Sequence, residues 1–360
     1  MKGSQIRVLV VDDSAFMRKA ITLMLESDPN IKVIGTARNG VEGIEKVEEL
    51  NPDLVTMDIE MPQMDGLTAL RKIMNVHPVP VMMVSSLTSD GAKATLDALE
   101  LGAVDFIPKQ LSYVSLDIVK IKETLIQKIW AIHSRRRTLM ANYSLRRKPG
   151  LRPASKSAAA PARPLSGSYS RKNVDIVAIG TSTGGPPALQ QVIPNLPKDM
   201  PVGVVVVQHM PPNFTKSLAQ RLDGISALHV KEAEHGEPVT AGMAYISPGD
   251  RHLTVRKWGS KTEIVLSDTP ADALHIPSVD VMMDSVADIY KGRSLGVIMT
   301  GMGSDGVKGL SKIKSLGGKI IAQNENSCVV YGMPRAAVEA GITDKIVSVE
   351  SIAREIMTFF

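Results

Sequence analysis

Two sets of side chains in this 360-residue sequence have the types and spacing to do chemistry. In the first 110 residues, Asp12 and Asp13 directly follow one short apolar run and Asp58 follows another, while Ser85 and Lys109 stand at the ends of two more. Carboxylates crowded together call for a cation, and an all-oxygen set with open positions suits Mg²⁺ better than zinc. A carboxylate nucleophile, a divalent cation, a hydroxyl and a lysine are together what phosphoryl transfer to an aspartate requires. Each residue alone has a plainer reading, as a helix N-cap or a solvated loop residue. Five such groups at the ends of strands one, three, four and five of one sheet are harder to explain that way.

The second set begins at Gly180-Thr181-Ser182-Thr183-Gly184, a G-x-S-x-G pattern between an apolar run and a helix. Flanking glycines allow the tight turn that lifts a serine hydroxyl above a sheet edge. The helix behind it supplies free N–H groups suited to an oxyanion, with backbone N–H near Thr183 or Met302 as candidates. His209 follows the run "VGVVVVQ", and Asp305 lies in "IMTGMGSDG". Ser182 would attack a carbonyl, His209 would take its proton, and Asp305 would hold the imidazole tautomer. Two other readings of the turn stay open, a phosphate cradle and a structural turn, although no G-x-x-x-x-G-K-[ST] or G-x-G-x-x-G is present. The order Ser, His, Asp also differs from the Ser, Asp, His of α/β-hydrolases. His229, His235 and His275 read as surface residues in polar loops, and His252 and His275 are further candidates to line a substrate cleft. Cys328 is a weak candidate nucleophile, and no ligand spacing suggests a metal in this half.

The elements that must carry these residues are legible as alternating patterns. Strands are predicted at Ile6–Val11, Ile31–Ala37, Leu54–Met57, Val79–Val84 and Val104–Ile107. Helices are predicted between them at "DDSAFMRKAITLML", Gly40–Leu50, Gly66–Met74 and Gly91–Leu101, with a last one from about Leu116 to His133. Five βα units with buried strands argue for a parallel sheet covered on both faces, with ligands beyond the carboxyl ends of the strands. The second half restarts with strands at Val174–Ile179 and Val202–Val207. It shortens into hairpin-like pieces between Ala227 and Leu266, then resumes with a helix at Ser278–Tyr290 and a strand at Leu295–Thr300.

Composition separates the two halves. The net charge is +5, yet no acidic residue stands between Glu123 and Asp175, where twelve lysines and arginines fall; the rest of the chain carries −7. This Ala/Pro/Ser-rich stretch, 131–172, reads as a basic linker between units 1–130 and 173–360. It either steers the protein to acidic helices or an anionic membrane surface, or serves as a solvated tether. A single cysteine excludes an internal disulfide and suits a reducing, cytoplasmic setting. No apolar run approaches the roughly 18 residues of a membrane span, and the N-terminus does not read as a signal peptide. The scarcity of aromatics and the lack of a helix-turn-helix pattern argue against nucleic-acid binding.

"VLVVDDS", "DLVTMDIEMPQMDGL", "VPVMMVSSLT" and "GAVDFIPK" resemble the receiver domain of two-component response regulators over residues 5–130. The resemblance implies a (βα)5, flavodoxin-like doubly wound sheet with Asp58 as phosphoacceptor. It implies Mg²⁺ held by Asp12, Asp13, Asp58 and the Glu60 carbonyl, and Ser85, Phe106 and Lys109 as switch residues. Gln110 departs from the proline usual after that lysine. "AIGTSTGGPPAL", "VVVQHMPPNFTKSLAQRLD", "HIPSVDVMMDSVA" and "VIMTGMGSDGVKGL" resemble the catalytic domain of the chemotaxis receptor methylesterases, the CheB family. That resemblance implies a doubly wound α/β esterase domain with a β-rich insertion and the triad Ser182, His209 and Asp305. It also implies glutamate γ-methyl ester hydrolysis and glutamine deamidation on chemoreceptors, without a cofactor in the esterase domain. The expected partners are a chemotaxis histidine kinase as phosphodonor and the cytoplasmic helices of chemoreceptors. The expected protein is a cytoplasmic monomer, peripheral to receptor arrays, whose unphosphorylated receiver covers the esterase cleft.

Overall fold

A computed structural model describes residues 5–109, 117–147 and 174–360, so Gln110 and most of the basic stretch lie outside the described residues. The first unit has strands β1 (Ile6–Val11), β2 (Ile31–Ala37), β3 (Leu54–Asp58), β4 (Val81–Ser85) and β5 (Asp105–Pro108). They alternate with helices α1 (Ala15–Leu25), α2 (Gly40–Leu50), α3 (Gly66–Val76), α4 (Ser89–Leu101) and α5 (Asp117–Ser134). All pairings are parallel, in the order β2-β1-β3-β4-β5. β3 and β4 are buried at every residue, as strands covered by helices on both faces must be. The chain reverses direction in strand order at β1 and β3, which sets Asp12 beside Asp58 at the carboxyl edge.

The predicted elements of this half match to within a few residues, but its end does not. Helix α5 runs on to Ser134, and α6 (Arg136–Arg147) follows where the sequence pattern reads as linker. Little apolar periodicity announces α6, where among the described residues Leu139, Met140 and Tyr143 pack on the cores. Arginine anchors substitute for it. Arg136 pairs with Asp53 and donates to the Pro52 carbonyl, and Arg135 donates to the Glu325 carboxylate at 3.0 Å and to its carbonyl at 2.6 Å. Two cations of the presumed tether are thus ion-paired, one to each half of the protein.

The second unit is a seven-stranded parallel sheet. Its strands are β6 (Ile176–Thr181), β7 (Gly203–Gln208), β8 (His229–Glu232), β9 (Met243–Ile246), β12 (Ser294–Ile298), β13 (Lys319–Gln323) and β14 (Lys345–Val347). They lie in the order β14-β13-β12-β6-β7-β9-β8. The sheet is flanked by α7 (Gly185–Val192), α8 (Phe214–Ile225), α9 (Val279–Tyr290), α10 (Val307–Ser315), α11 (Met333–Glu339) and α12 (Val349–Met357). Of the hairpin-like pieces, only β10 (His252–Trp258) and β11 (Lys261–Ser267) pair antiparallel. β8 and β9 instead join the edge of the main sheet in parallel. Their connection crosses over as an extended segment that pairs with β11 through Gly236, Glu237 and Val239, so no helix pattern marks the crossover.

The two units meet along α4 and α8. Arg221 donates to Asp97 and Glu100 at 2.8 Å each, and Asn213 donates to the Leu87 carbonyl at 3.2 Å. Phe106 stacks on Phe214 with ring centroids 4.8 Å apart and planes 1° from parallel.

Candidate active site

Asp12, Asp13 and Asp58 present carboxylate oxygens within 4.8 Å of one another at the carboxyl edge of the first sheet. Lys109, carried in by β5, lies 2.5 Å from Asp58 and 3.4 Å from Asp12. One ammonium does not balance three carboxylates. Burial foremost, joined by the charge of Asp12, pushes the Asp58 carboxyl up to about 6 despite Lys109. Burial likewise raises Asp12. A hard divalent cation in this all-oxygen set would supply the missing charge, so the residues fit Mg²⁺. Glu60 donates its N–H to Asp58 Oδ1 at 3.4 Å. Ser85 does not bond Asp58: its hydroxyl is engaged on α4, with Thr95 Oγ1 at 2.8 Å and the Gly91 carbonyl at 3.2 Å. Phe106 is buried against Phe214 while Lys128 pairs with Asp105 at 2.7 Å behind it.

The second site lies at the carboxyl ends of three strands of the larger sheet. Ser182 leaves β6 in a turn closed by Gly184, whose φ of +76° suits a glycine at the N-cap of α7. Ser182 N–H donates to the Thr300 carbonyl at 2.9 Å. The next residue, Gly301, approaches so closely that a Cβ there would sit 2.8 Å from that of Ser182. Gln208, at the end of β7, donates to the Ser182 carbonyl at 2.9 Å, and Thr181 donates to the Thr300 carbonyl at 2.9 Å. These buried bonds lock the exits of β6, β7 and β12 to one another. Neither the Thr183 nor the Met302 N–H is used in a hydrogen bond among the described residues.

His209, one residue past β7, places Nε2 2.8 Å from Asp305 Oδ2. Asp305 sits at the N-terminus of α9 and accepts Ser278 Oγ–H and the Asp280 N–H on Oδ1, both at 2.9 Å, and the Val279 N–H on Oδ2 at 2.7 Å. Burial opposes ionisation of Asp305, but the bonds from His209 and the two N–H groups outweigh it and hold the carboxyl well below the usual range. With Nε2 committed to the carboxylate, Nδ1 is the nitrogen left for Ser182. The Ser182 hydroxyl makes no hydrogen bond among the described residues. That is common before substrate closes a catalytic site.

The structure therefore brings Ser182, His209 and Asp305 to one sheet edge, as their spacing predicts. His229 and His235 are exposed, as expected, and His275 lines a cleft beside His209, as one of its two readings had it; the other readings change. His252 is fully buried and lines no cleft, and His275 is not a free surface residue but stacks on His209. Cys328 is buried, and burial pushes its thiol up to about 12, which leaves no thiolate for attack. Ser278 and Gln208 were not anticipated. A serine at a helix N-cap was a signal for the first, and nothing local marked the second.

A family model described as CheB methylesterase matches residues 177–356, and one described as response regulator receiver domain matches residues 8–118. The chain is 54% identical over 366 residues, 98% of each chain, to the protein-glutamate methylesterase/protein-glutamine glutaminase 1 of Oleidesulfovibrio alaskensis. It is 53% identical, again over 98% of each, to the corresponding protein 2 of Nitratidesulfovibrio vulgaris. Among solved structures, the CheB methylesterase catalytic domain of Thermotoga maritima is 47% identical. It covers 52% of this chain and 99% of its own, with a TM-score of 0.51.

Proposed function

The chain belongs to the CheB methylesterase family, and on that premise we propose that Ser182, His209 and Asp305 carry its ester hydrolysis, under the control of phosphorylation at Asp58. The protein is a phosphorylation-regulated protein-glutamate methylesterase and protein-glutamine glutaminase. The observation that carries the residue assignment is the His209–Asp305 bond at 2.8 Å, held beside the Ser182 turn by the locked strand exits.

In this reading Ser182 Oγ attacks the γ-carbonyl carbon of a glutamyl methyl ester while His209 Nδ1 takes the hydroxyl proton. The charge on the carbonyl oxygen is met by the Thr183 and Met302 N–H groups. As the C–O bond breaks, His209 returns the proton to the leaving methoxide and methanol departs. Water, deprotonated by His209, then attacks the acyl-serine and releases the glutamate carboxylate and Ser182. A glutamine side chain follows the same path with ammonia as leaving group. Asp305 keeps its charge throughout and stabilises the imidazolium.

The receiver side is the phosphoacceptor Asp58, with Asp12, Asp13 and the Glu60 carbonyl as the groups that would hold Mg²⁺. The bound ion would offset the charge that accumulates when a phosphoryl group joins the aspartate. Lys109 and Ser85 then bind phosphoryl oxygens, which requires Ser85 to leave Thr95. Phe106 is the contact through which that change reaches the esterase, because its ring already lies against Phe214, five residues beyond His209. A chemotaxis histidine kinase is the phosphodonor and the cytoplasmic helices of chemoreceptors are the substrate. No helix among the described residues is long and apolar enough to cross a membrane.

Methanol release from methyl-labelled chemoreceptor membranes tests both halves together. Wild-type activity is expected to rise several-fold with a small-molecule phosphodonor and Mg²⁺, and Asp58→Ala to retain only the unstimulated rate. Stimulation surviving in Asp58→Ala would place the phosphoacceptor elsewhere. Arg221→Glu turns two ion pairs with Asp97 and Glu100 into repulsions across the domain contact. Its unstimulated rate is expected to move up toward the stimulated one, with a smaller further response to phosphodonor. An unchanged basal rate would show that this contact does not restrain the enzyme.

A further inference from the structure

The His209 ring has a second neighbour besides Asp305. His275 lies against its face, with ring centroids 4.2 Å apart and planes 26° from parallel. Among the described residues no hydrogen bond reaches His275, so what it offers His209 is the face of its ring. The loop that carries it, residues 268–278 between β11 and α9, is fixed by one buried side chain on β10. His252 Nδ1 accepts the Ser278 N–H at 3.1 Å. A backbone N–H can only donate, so the His252 proton sits on Nε2, where it is donated to the Pro270 carbonyl at 3.1 Å. Loop residues 270 and 278 are thus tied to the same ring. Between them Leu274 is 90% exposed and Ile276 38%, while His275 turns inward between these two apolar neighbours. Together with Met210, Pro211 and Gly249 they wall a cleft of about 320 Å³ in front of His209.

We propose that His275 is a positioning residue for His209: its ring fixes the plane of the general base and keeps water off one of its faces. The proposal rests on reading His209 as that base. A single bond from Nε2 to Asp305 leaves the imidazole free to rock about that bond, which would carry Nδ1 toward or away from Ser182. Stacking removes the rocking, and misplacement of a catalytic group by about 1 Å is worth roughly 100-fold in rate. The choice of histidine is consistent with the charge that His209 acquires. Burial, and then the charge of His209, pull the His275 pKa down to about 4, so a neutral ring faces the imidazolium. The other groups around His209 are Asp305, bonded to it, and Asp280 and Ser278, which reach it through Asp305.

The test compares kcat and KM of methanol release for full-length wild type, His275→Ala, His275→Phe and His209→Gln, all activated by phosphodonor. His275→Ala is expected to lower kcat about 10- to 100-fold with little change in KM. His275→Phe keeps a flat ring without a titrating nitrogen, and should restore kcat to within a few-fold of wild type. Wild-type kinetics in His275→Ala, or a His275→Phe enzyme as slow as the alanine variant, would overturn the proposal; the second result would assign His275 a contact through its nitrogens. Substantial activity in His209→Gln would instead remove the reading of His209 as base, which separates that failure from this one.

Discussion

Replacing Ser182 by alanine is expected to cut methanol release by roughly 10⁴-fold or more, on the scale seen when a serine hydrolase loses its nucleophile. Only the oxyanion donors and the binding cleft remain to accelerate the reaction. The same substitution is expected to leave the fold alone. Ser182 Oγ has no hydrogen bond among the described residues, and the turn is held by backbone bonds to Thr300 and Gln208 that alanine keeps. Thermal unfolding should therefore match wild type within a couple of degrees while kcat collapses. A Ser182→Ala enzyme within ten-fold of wild type would hand the nucleophile to another residue. Cys328 is not available for that role, being buried with its thiol pushed up to about 12.

Asp305→Asn is expected to lower kcat by about 10⁴-fold and, unlike the serine variant, to destabilise the protein as well. The catalytic loss comes from the imidazole: an amide NH₂ facing Nε2 favours the tautomer with its proton on Nδ1, where it cannot accept from Ser182. The structural loss comes from four donors that converge on two carboxylate oxygens. An amide keeps only one accepting oxygen, so with its NH₂ toward Nε2, which then accepts, the Val279 N–H is left facing another donor, at about 1–3 kcal/mol for a buried group left unsatisfied. The pH dependence has a definite sign. The folded carboxyl is held below its unfolded value of about 3.9, so its contribution is complete above that pH and is lost as pH falls through the folded value. Urea midpoints of wild type and Asp305→Asn should therefore differ near neutrality and begin to converge only as pH falls below about 4. A pH-independent gap would mean that the carboxylate charge is not what stabilises this corner.

Why the grouping of the proposed triad and of the acidic pocket was legible, and their surroundings less so, follows from where the signals lie. Asp12, Asp58, Ser182 and His209 each close or follow a run of buried β-branched residues, and a parallel sheet collects such ends on one edge. Local sequence therefore carried their relative positions. His275 had no such run before it. Its place depends on His252, 23 positions earlier, tying both ends of a polar loop, and no periodicity encodes a contact of that kind. Helix α6 was missed for a related reason. Arg135 and Arg136 look like a solvated charge run until Glu325 and Asp53 are brought to them by the tertiary fold. β8 and β9 were read as hairpin strands because short strands and turn residues have the same pattern whichever way they pair.

The order of the two sheets along the chain has a consequence during synthesis. A ribosome adds about 5–20 residues per second, and N-terminal domains fold first. The five strands that surround Asp58 are complete by Pro108, whereas the residues that meet at Ser182 are not all present until Asp305 has emerged. The regulatory half thus has on the order of ten seconds or more to fold before a working hydrolase can exist. Each new molecule completes its catalytic centre against a partner surface that is already in place, so the nascent esterase has a regulator from its first moment of competence.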